Sequence, residues 1–456
     1  MDTYEAIVWG KFSLLGTTKH PPFSGIIAYG FYKLSGEHDF VMYGLSQIFV
    51  LLGIIYIFRL ARLFLPTAKA VLATMLQFGI IYYNYSSVEF NVNVISLALW
   101  PAAAYYFWCA YQNNRTADWL LFGLMSGLNL LNKYVGSLEL AAIFVFIIYD
   151  KKFKDIITNY RAYLAGFVGC CVIAPHVWWL FENNFTMLNY IAERSSSQTP
   201  SFSNHFLYPL KFAGAQLLFG AAALISYLWF YRRLPHEQDS ISTSSKKFLL
   251  CQYVIPPFIF ITLSLITGSA LKSMWGFPLQ YLTGIILVVL LPAKFDDTSL
   301  NKLFNIMVMW SMLFAGIYAL QCVLTKSLRY RTNGAEFTAV MEQKWQEQNP
   351  DKPLIYVGGD VWYANLMSIY GSAEIKPMIW LSPKNNPWFD AADFNNAGAL
   401  IVAANEGEYN KYKADFPNKV SAPQVYEFIT ENFFGRQKKN IMYYGFYKGD
   451  NSDYVK

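Results

Sequence analysis

Apolar runs close to twenty residues long recur along the first 325 positions of this 456-residue chain. A run of that length with few charges is long enough to cross the hydrocarbon layer of a bilayer, roughly 30 Å thick, as a helix. Charged residues make up 14% of the chain, against roughly 25% in an average soluble domain. A single soluble domain is therefore excluded, and an aromatic content of 18% excludes a disordered chain. The runs predict about ten spans, at 40–63, 70–88, 92–111, 117–132, 134–149, 162–180, 209–231, 248–267, 275–293 and 303–325.

An even number of spans puts both termini on one side. One set of loops carries Arg59, Arg62, Lys69, Arg115, Lys151, Lys152, Lys154, Arg161, Arg232, Arg233, Lys246, Lys247, Lys294 and Lys302. The other, longer set holds only Lys11, Lys19, Lys33, Lys133, Arg194, Lys211 and Lys272. The positive-inside bias makes the first set cytoplasmic, so both termini face outward. An outward N-terminal segment needs an exporting span: a first span is expected upstream of Met1, or else the span that follows exports the loop. The net charge of +6 is modest. No basic helix or basic-aromatic stripe accompanies it, so nucleic acid is not an expected partner. The cysteines (Cys109, Cys170, Cys171, Cys251 and Cys322) lie in or beside spans without C-x-x-C spacing, and read as small apolar packing residues.

Residues 1–39 read as an outer-surface loop with two interfacial helices, Thr3–Leu15 and one opening at Pro21-Pro22 and running to Leu34. Residues 326–456 differ in character. Strand patterns at 354–359, 374–380 and 398–403, with a helix over 361–370, predict a small α/β domain. G-x-G-x-x-G and P-loop motifs are absent from it.

The polar residues worth attention sit at the outer ends of spans. Asp2 and Glu5, spaced i and i+3, share a helix face and suit a general base or a divalent metal site, or equally a pair of solvated acids. Lys19 and His20 precede Pro21-Pro22, which holds them extended before a helix N-terminus. That arrangement suits a phosphate or a basic membrane anchor. Glu89, Asn91 and Asn93 lie in a turn between spans. Lys133 lies in another, with Asn132 and Tyr134, and Glu139 follows inside the next span. Ionisable groups at membrane depth are functional candidates, although a lysine also snorkels to headgroups. His176, Trp178 and Trp179 precede a loop that ends at Glu193-Arg194; His176 reads as a ligand or as a hydrogen-bonded interfacial histidine. The span centres are nearly free of charge, unlike those of a transporter.

At these residues the chain resembles the bacterial polyprenyl-phosphate-sugar-dependent glycosyltransferases of the protein O-mannosyltransferase and aminoarabinose transferase superfamily (family 39, GT-C fold). Asp2-Thr-Tyr-Glu5-Ala-Ile-Val-Trp9-Gly10 resembles the family's first outer loop, and Lys19-His20-Pro21-Pro22 its Pro-Pro element. Phe90-Asn-Val-Asn93 with Leu99-Trp100-Pro101, Asn129-Leu-Leu-Asn-Lys133-Tyr134 and Pro175-His176-Val-Trp178-Trp179 resemble further family segments. The resemblance spans about residues 1–290. It implies a polytopic α-helical membrane protein of GT-C type, with interfacial outer-surface helices and a small C-terminal α/β domain. It also implies an inverting transferase in the cytoplasmic membrane, working on the periplasmic side. Its partners would be a polyprenyl-phosphate-linked sugar donor, a glycan, lipid or protein acceptor, and membrane lipid.

By motif position Asp2 would be the catalytic base and Glu5 its support or part of the acceptor site. Lys19, His20, Lys133 and Arg194 would face the donor phosphate. Glu89, Asn91 and Asn93 would be the polar groups of the second loop, where Asn replaces the family's acid. No cofactor is required by the pattern; a divalent metal held by His20 or His176 is an open alternative. Asp2 and Glu5 also depart from the adjacent acids of the mannosyltransferases. Two other classes compete: a transporter or flippase of lipid-linked sugars, and a non-catalytic assembly partner that binds through its tail.

Overall fold

The computed structural model describes residues 1–195, 201–236, 241–324, 332–431 and 437–449. Two compact units emerge: residues 38–182 with 188–318, and residues 1–37 with 183–187 and 319–456.

The chain opens with helices α1 (Asp2–Phe12) and α2 (Phe23–Leu34). There follow α3 (Val41–Arg62), α4 (Thr67–Met75), α5 (Val92–Asn113), α6 (Thr116–Asn132), α7 (Gly136–Tyr149), α8 (Phe153–Ile157), α9 (Tyr160–Glu182) and α10 (Thr186–Ser195). Next come α11 (Asn204–Tyr231), α12 (Thr243–Thr267), α13 (Thr283–Leu290) and α14 (Asp297–Leu324). Among the described residues, six helices are long and apolar enough to cross a membrane: α3, α5, α9, α11, α12 and α14. This is a multi-pass membrane protein. The expected final residue of the last span, Thr325, lies outside the described residues.

In the larger unit, α5 is the central helix, buried on almost every side from Val92 to Ala110. Helices α3 and α6 pack along it, and α9 packs on α6. Outward apolar side chains on α14, such as Met309, Met312 and Leu313, are exposed. In water such a surface is unfavourable; in a bilayer, lipid covers it.

Two of the expected spans are not continuous helices. After α4, residues 76–87 run as three short 3-10 turns, and Ser273–Gln280 is a 3-10 helix that meets α13 at 54°. The two broken segments lace into each other. Gly284 lies so close to α4 that a Cβ would stand 1.9 Å from the Ala73 carbonyl. Gln77 Nε2 donates to the Tyr281 carbonyl at 3.1 Å, and the Tyr82 hydroxyl donates to the Ser273 carbonyl at 2.6 Å. Asn84 Nδ2 donates to the carbonyls of Phe78 and Ile80 at 2.9 and 3.1 Å. A break at membrane depth frees backbone acceptors, and these side chains take them up. Apolar periodicity alone reads such segments as ordinary spans.

In the smaller unit, α15 (Gly334–Gln348), α16 (Val361–Tyr370), α17 (Ala391–Ala397) and α18 (Glu406–Asp415) surround a five-stranded sheet. Its strands are β1 (Tyr356–Gly359), β2 (Lys376–Ile379), β3 (Ala399–Ala403), β4 (Gln424–Glu431) and β5 (Gln437–Tyr447), in the order β2-β1-β3-β5-β4. β1 pairs in parallel with β2 and β3, while β5 runs antiparallel to both β3 and β4. The parallel strands are apolar on both faces, as a covered sheet requires. Asp360 caps α16 by accepting from the N–H groups of Trp362 and Tyr363 at 2.9 and 3.1 Å. Helix α1 packs on α16 in the same unit. The Tyr4 and Trp362 rings meet edge to face at 5.1 Å, and Lys11 Nζ donates to the Ser368 carbonyl at 2.9 Å. The loop at the start of the chain and the C-terminal α/β fold thus share one core.

Candidate functional site

In the smaller unit, α1 carries both acidic candidates, and they differ in environment. Asp2 is exposed, whereas Glu5 is buried, with 3% of its surface accessible. The Glu5 carboxylate is ion-paired with Lys19 Nζ. Burial raises the Glu5 carboxyl above its ordinary value, and the Lys19 charge pulls in the opposite direction. The Lys19 ammonium also lies 5.3 Å from the centroid of the Trp380 ring.

The turn that carries Lys19 and His20 is built by Thr17. Its Oγ1 accepts from the N–H groups of Lys19 and His20 at 3.2 and 3.0 Å and donates to the His20 carbonyl at 2.9 Å. The backbone donors of Lys19 and His20 are therefore committed to Thr17, which fixes the turn that leads into α2. The His20 ring meets Trp9 edge to face at 5.7 Å.

In the larger unit, Asn91 caps α5, accepting from Asn93 N–H at 2.9 Å. Its Nδ2 donates to the Glu89 carbonyl at 3.0 Å. The Glu89 carboxylate accepts from the Tyr318 hydroxyl at 3.1 Å. Lys133 Nζ donates to Asn93 Oδ1 at 2.7 Å, which brings the second-loop amide and the lysine together. Asn132, fully buried, ties the same turn to α5 through the Val92 carbonyl at 2.8 Å and Ser96 Oγ at 3.1 Å. Tyr134 and His176 Nε2 share a hydrogen bond of 2.6 Å, and the His176 ring stacks on Trp179. Behind the turn, Asn129 Nδ2 donates to the buried Glu139 carboxyl at 2.8 Å, clamping α6 to α7. Lys133 thus projects from a turn fixed on three sides.

Arg194 is exposed in the last turn of α10. Among the described residues no group of three or more His, Cys, Asp or Glu side chains is placed to hold a metal ion. Sequence reasoning missed Tyr318 and Trp380. Neither belongs to a spacing pattern, and both are recognisable only through what they touch.

Three comparisons bear on this geometry. Residues 19–179 match the model of the dolichyl-phosphate-mannose-protein mannosyltransferase family. No curated protein sequence matches. The fold is similar to that of ArnT from Cupriavidus metallidurans bound to undecaprenyl phosphate, with a TM-score of 0.60 at 12% identity, covering 98% of this chain and 92% of that one. The apo state of the same protein gives a TM-score of 0.60 at 12% identity, covering 98% and 91%. The structural matches show the fold drawn from the sequence, and the family model matches the resemblance over residues 19–179.

Proposed function

We propose that this chain, whose fold is that of a GT-C protein and whose residues 19–179 match the mannosyltransferase family, is an inverting glycosyltransferase. It moves a sugar from a polyprenyl-phosphate donor to a lipid, glycan or protein acceptor on the periplasmic side of the cytoplasmic membrane. The observation that carries this reading is a fold match over 98% of the chain to a protein with bound undecaprenyl phosphate.

In this reading Asp2 takes the proton of an acceptor hydroxyl. The resulting oxygen forms a bond to the anomeric carbon as the bond from that carbon to the phosphate oxygen breaks, and the polyprenyl phosphate leaves with the electron pair. An exposed carboxylate at the start of α1 has access to a hydroxyl, which the buried, ion-paired Glu5 has not; Glu5 supports the acceptor side. Lys133, steadied by Asn93, and the exposed Arg194 stabilise the leaving phosphate electrostatically. Lys19 and His20 are assigned to the same phosphate, Lys19 while sharing its charge with Glu5. Glu89, Asn91 and Asn93 line the second polar loop. His20 and His176 are the residues left for a divalent metal, and no step is routed through one.

Mass spectrometry of envelope glycolipids and glycoproteins, from cells with the wild-type chain, with Asp2→Asn and with none, tests the reading. A sugar present with wild type and missing from the other two supports it. Identical spectra from all three end it.

The two laced, broken spans favour a second reading, a transporter of lipid-linked sugars, because interrupted helices line many transport sites. Movement of a labelled polyprenyl-phosphate sugar across vesicles without any acceptor would select it.

A further inference from the structure

Strand β2 ends in a backbone conformation that sheet pairing does not require. Trp380 and Leu381, consecutive non-glycine residues, both lie in the left-handed region, at φ 56° and 50°. Bulky residues rarely adopt it, and where they do the strain is often tied to a functional constraint. Here it turns two large side chains in opposite directions. Leu381 is 4% exposed and fills the space over Gly358, where a Cβ would come within 2.3 Å of its Cδ2. Trp380 is 42% exposed.

The turn is held rigid. Trp380 N–H donates to the Gly359 carbonyl at 2.9 Å. Asn386 accepts from Ile379 N–H at 3.0 Å and donates to the carbonyls of Ile379 and Ser382 at 3.1 and 2.8 Å. The backbone that carries the indole is therefore fixed. The Lys19 ammonium, paired with Glu5, stands at its face.

We infer that Trp380 is a stacking platform for a pyranose ring, with the Lys19 ammonium at the indole supplying a polar contact to a sugar hydroxyl. A pyranose has an apolar face of C–H groups and a rim of hydroxyls. It matches a flat aromatic surface bordered by a few fixed polar groups. A lipid chain would gain from the indole and nothing from the ammonium beside it. The sugar can belong to the acceptor or to the donor, and the inference rests on the transferase reading for its choice of ligand.

Binding, measured without transfer, tests it. The full chain in phospholipid nanodiscs is applied to immobilised hexopyranosides and N-acetylhexosaminides. In a second arm the nanodiscs are titrated with undecaprenyl phosphate glucose and with bare undecaprenyl phosphate. Trp380→Ala should weaken sugar retention by about tenfold in one arm, while Trp380→Phe, which keeps an aromatic face, stays within about threefold of wild type. Both variants should melt with wild type. Loss confined to the immobilised glycans marks an acceptor platform; loss confined to the glucose-bearing lipid marks a donor platform. Equal retention by wild type and Trp380→Ala in both arms, or no retention by wild type in either, overturns the inference. So does a Trp380→Ala defect in binding to sugar-free vesicles with sugar retention intact, which marks a lipid contact. Failure of the transferase reading shows itself separately, as unchanged envelope spectra.

Discussion

Lys19 and Glu5 form an ion pair withdrawn from solvent on both sides, with 13% and 4% of their side chains exposed. The pair joins the turn before Pro21 to α1, so it fixes the segment that carries Asp2.

The pair makes stability depend on pH. Burial raises the Glu5 carboxyl above its ordinary value of 4.5, against the opposing pull of Lys19. A carboxyl raised on folding binds its proton more tightly in the native state than in the unfolded chain. Its contribution is fully present below the unfolded value and is lost as pH rises through the native one. The melting temperature of wild type relative to Glu5→Gln should therefore fall as pH is raised from about 4.5. Lys19→Met leaves a buried carboxylate unpaired at neutral pH, which costs about 3–5 kcal/mol, and adding Glu5→Gln should restore most of that. Parallel melting curves for wild type and Glu5→Gln at every pH would remove Glu5 from this role.

Lys133 makes a charge-assisted hydrogen bond to Asn93 Oδ1 at 2.7 Å. A cation contact to a phosphate is worth roughly 1.5–3 kcal/mol, so Lys133→Met should raise the donor KM about tenfold or more. Asn93→Leu, which leaves the cation in place but unsteadied, should have a smaller effect. Lys133→Arg should recover part of the loss. Steady-state kinetics with a polyprenyl-phosphate sugar separates these, and an unchanged donor KM in Lys133→Met would free the lysine from donor binding.

Much of this was legible in the sequence, and the failures have physical causes. The helix over 361–370 and the strands at 356–359 and 399–403 follow from apolar patterning bounded by Gly and Asp. Long spans such as α3 and α5 follow from run length. The segment after Met75 has a span's composition, yet its backbone acceptors are satisfied by the Asn84 side chain and by Ser311 far along the chain, and no local window sees that. The hairpin β4–β5 went unread because 424–431 does not alternate in polarity: Val425 and Ile429 are apolar yet exposed. Asp2 and Glu5 were legible as a helical pair. Their separation into an exposed and a buried acid depends on α16 and on Lys19, which spacing does not disclose.

Asn365 is a test of how tightly α16 is packed. It is 1% exposed, and neither its Oδ1 nor its Nδ2 has a hydrogen-bond partner. Trp362 Nε1 and Ser368 Oγ, one helical step away on either side, are likewise buried and unpartnered. A buried polar group without a partner costs about 1–3 kcal/mol. Asn365→Leu, close in volume, should therefore raise the melting temperature of the purified chain. A clear drop would mean that ordered water fills this seam and satisfies the amide.

The laced spans make a sharper prediction about packing. At Gly284 a Cβ would stand 1.9 Å from the Ala73 carbonyl, and that partner is backbone, which cannot step aside. Gly284→Ala should force α4 and α13 apart, at a cost of about 2 kcal/mol or more. Gly166, on α9, has no atom within 4 Å of the same position. Gly166→Ala should be neutral or should stabilise by up to about 1 kcal/mol through helix propensity. Both variants add one methyl group to a membrane-spanning unit, so a difference between them reports contact rather than composition. Thermal melts of the two in the same detergent measure it; if Gly284→Ala melts with Gly166→Ala, the close approach of the broken spans is not part of the native packing.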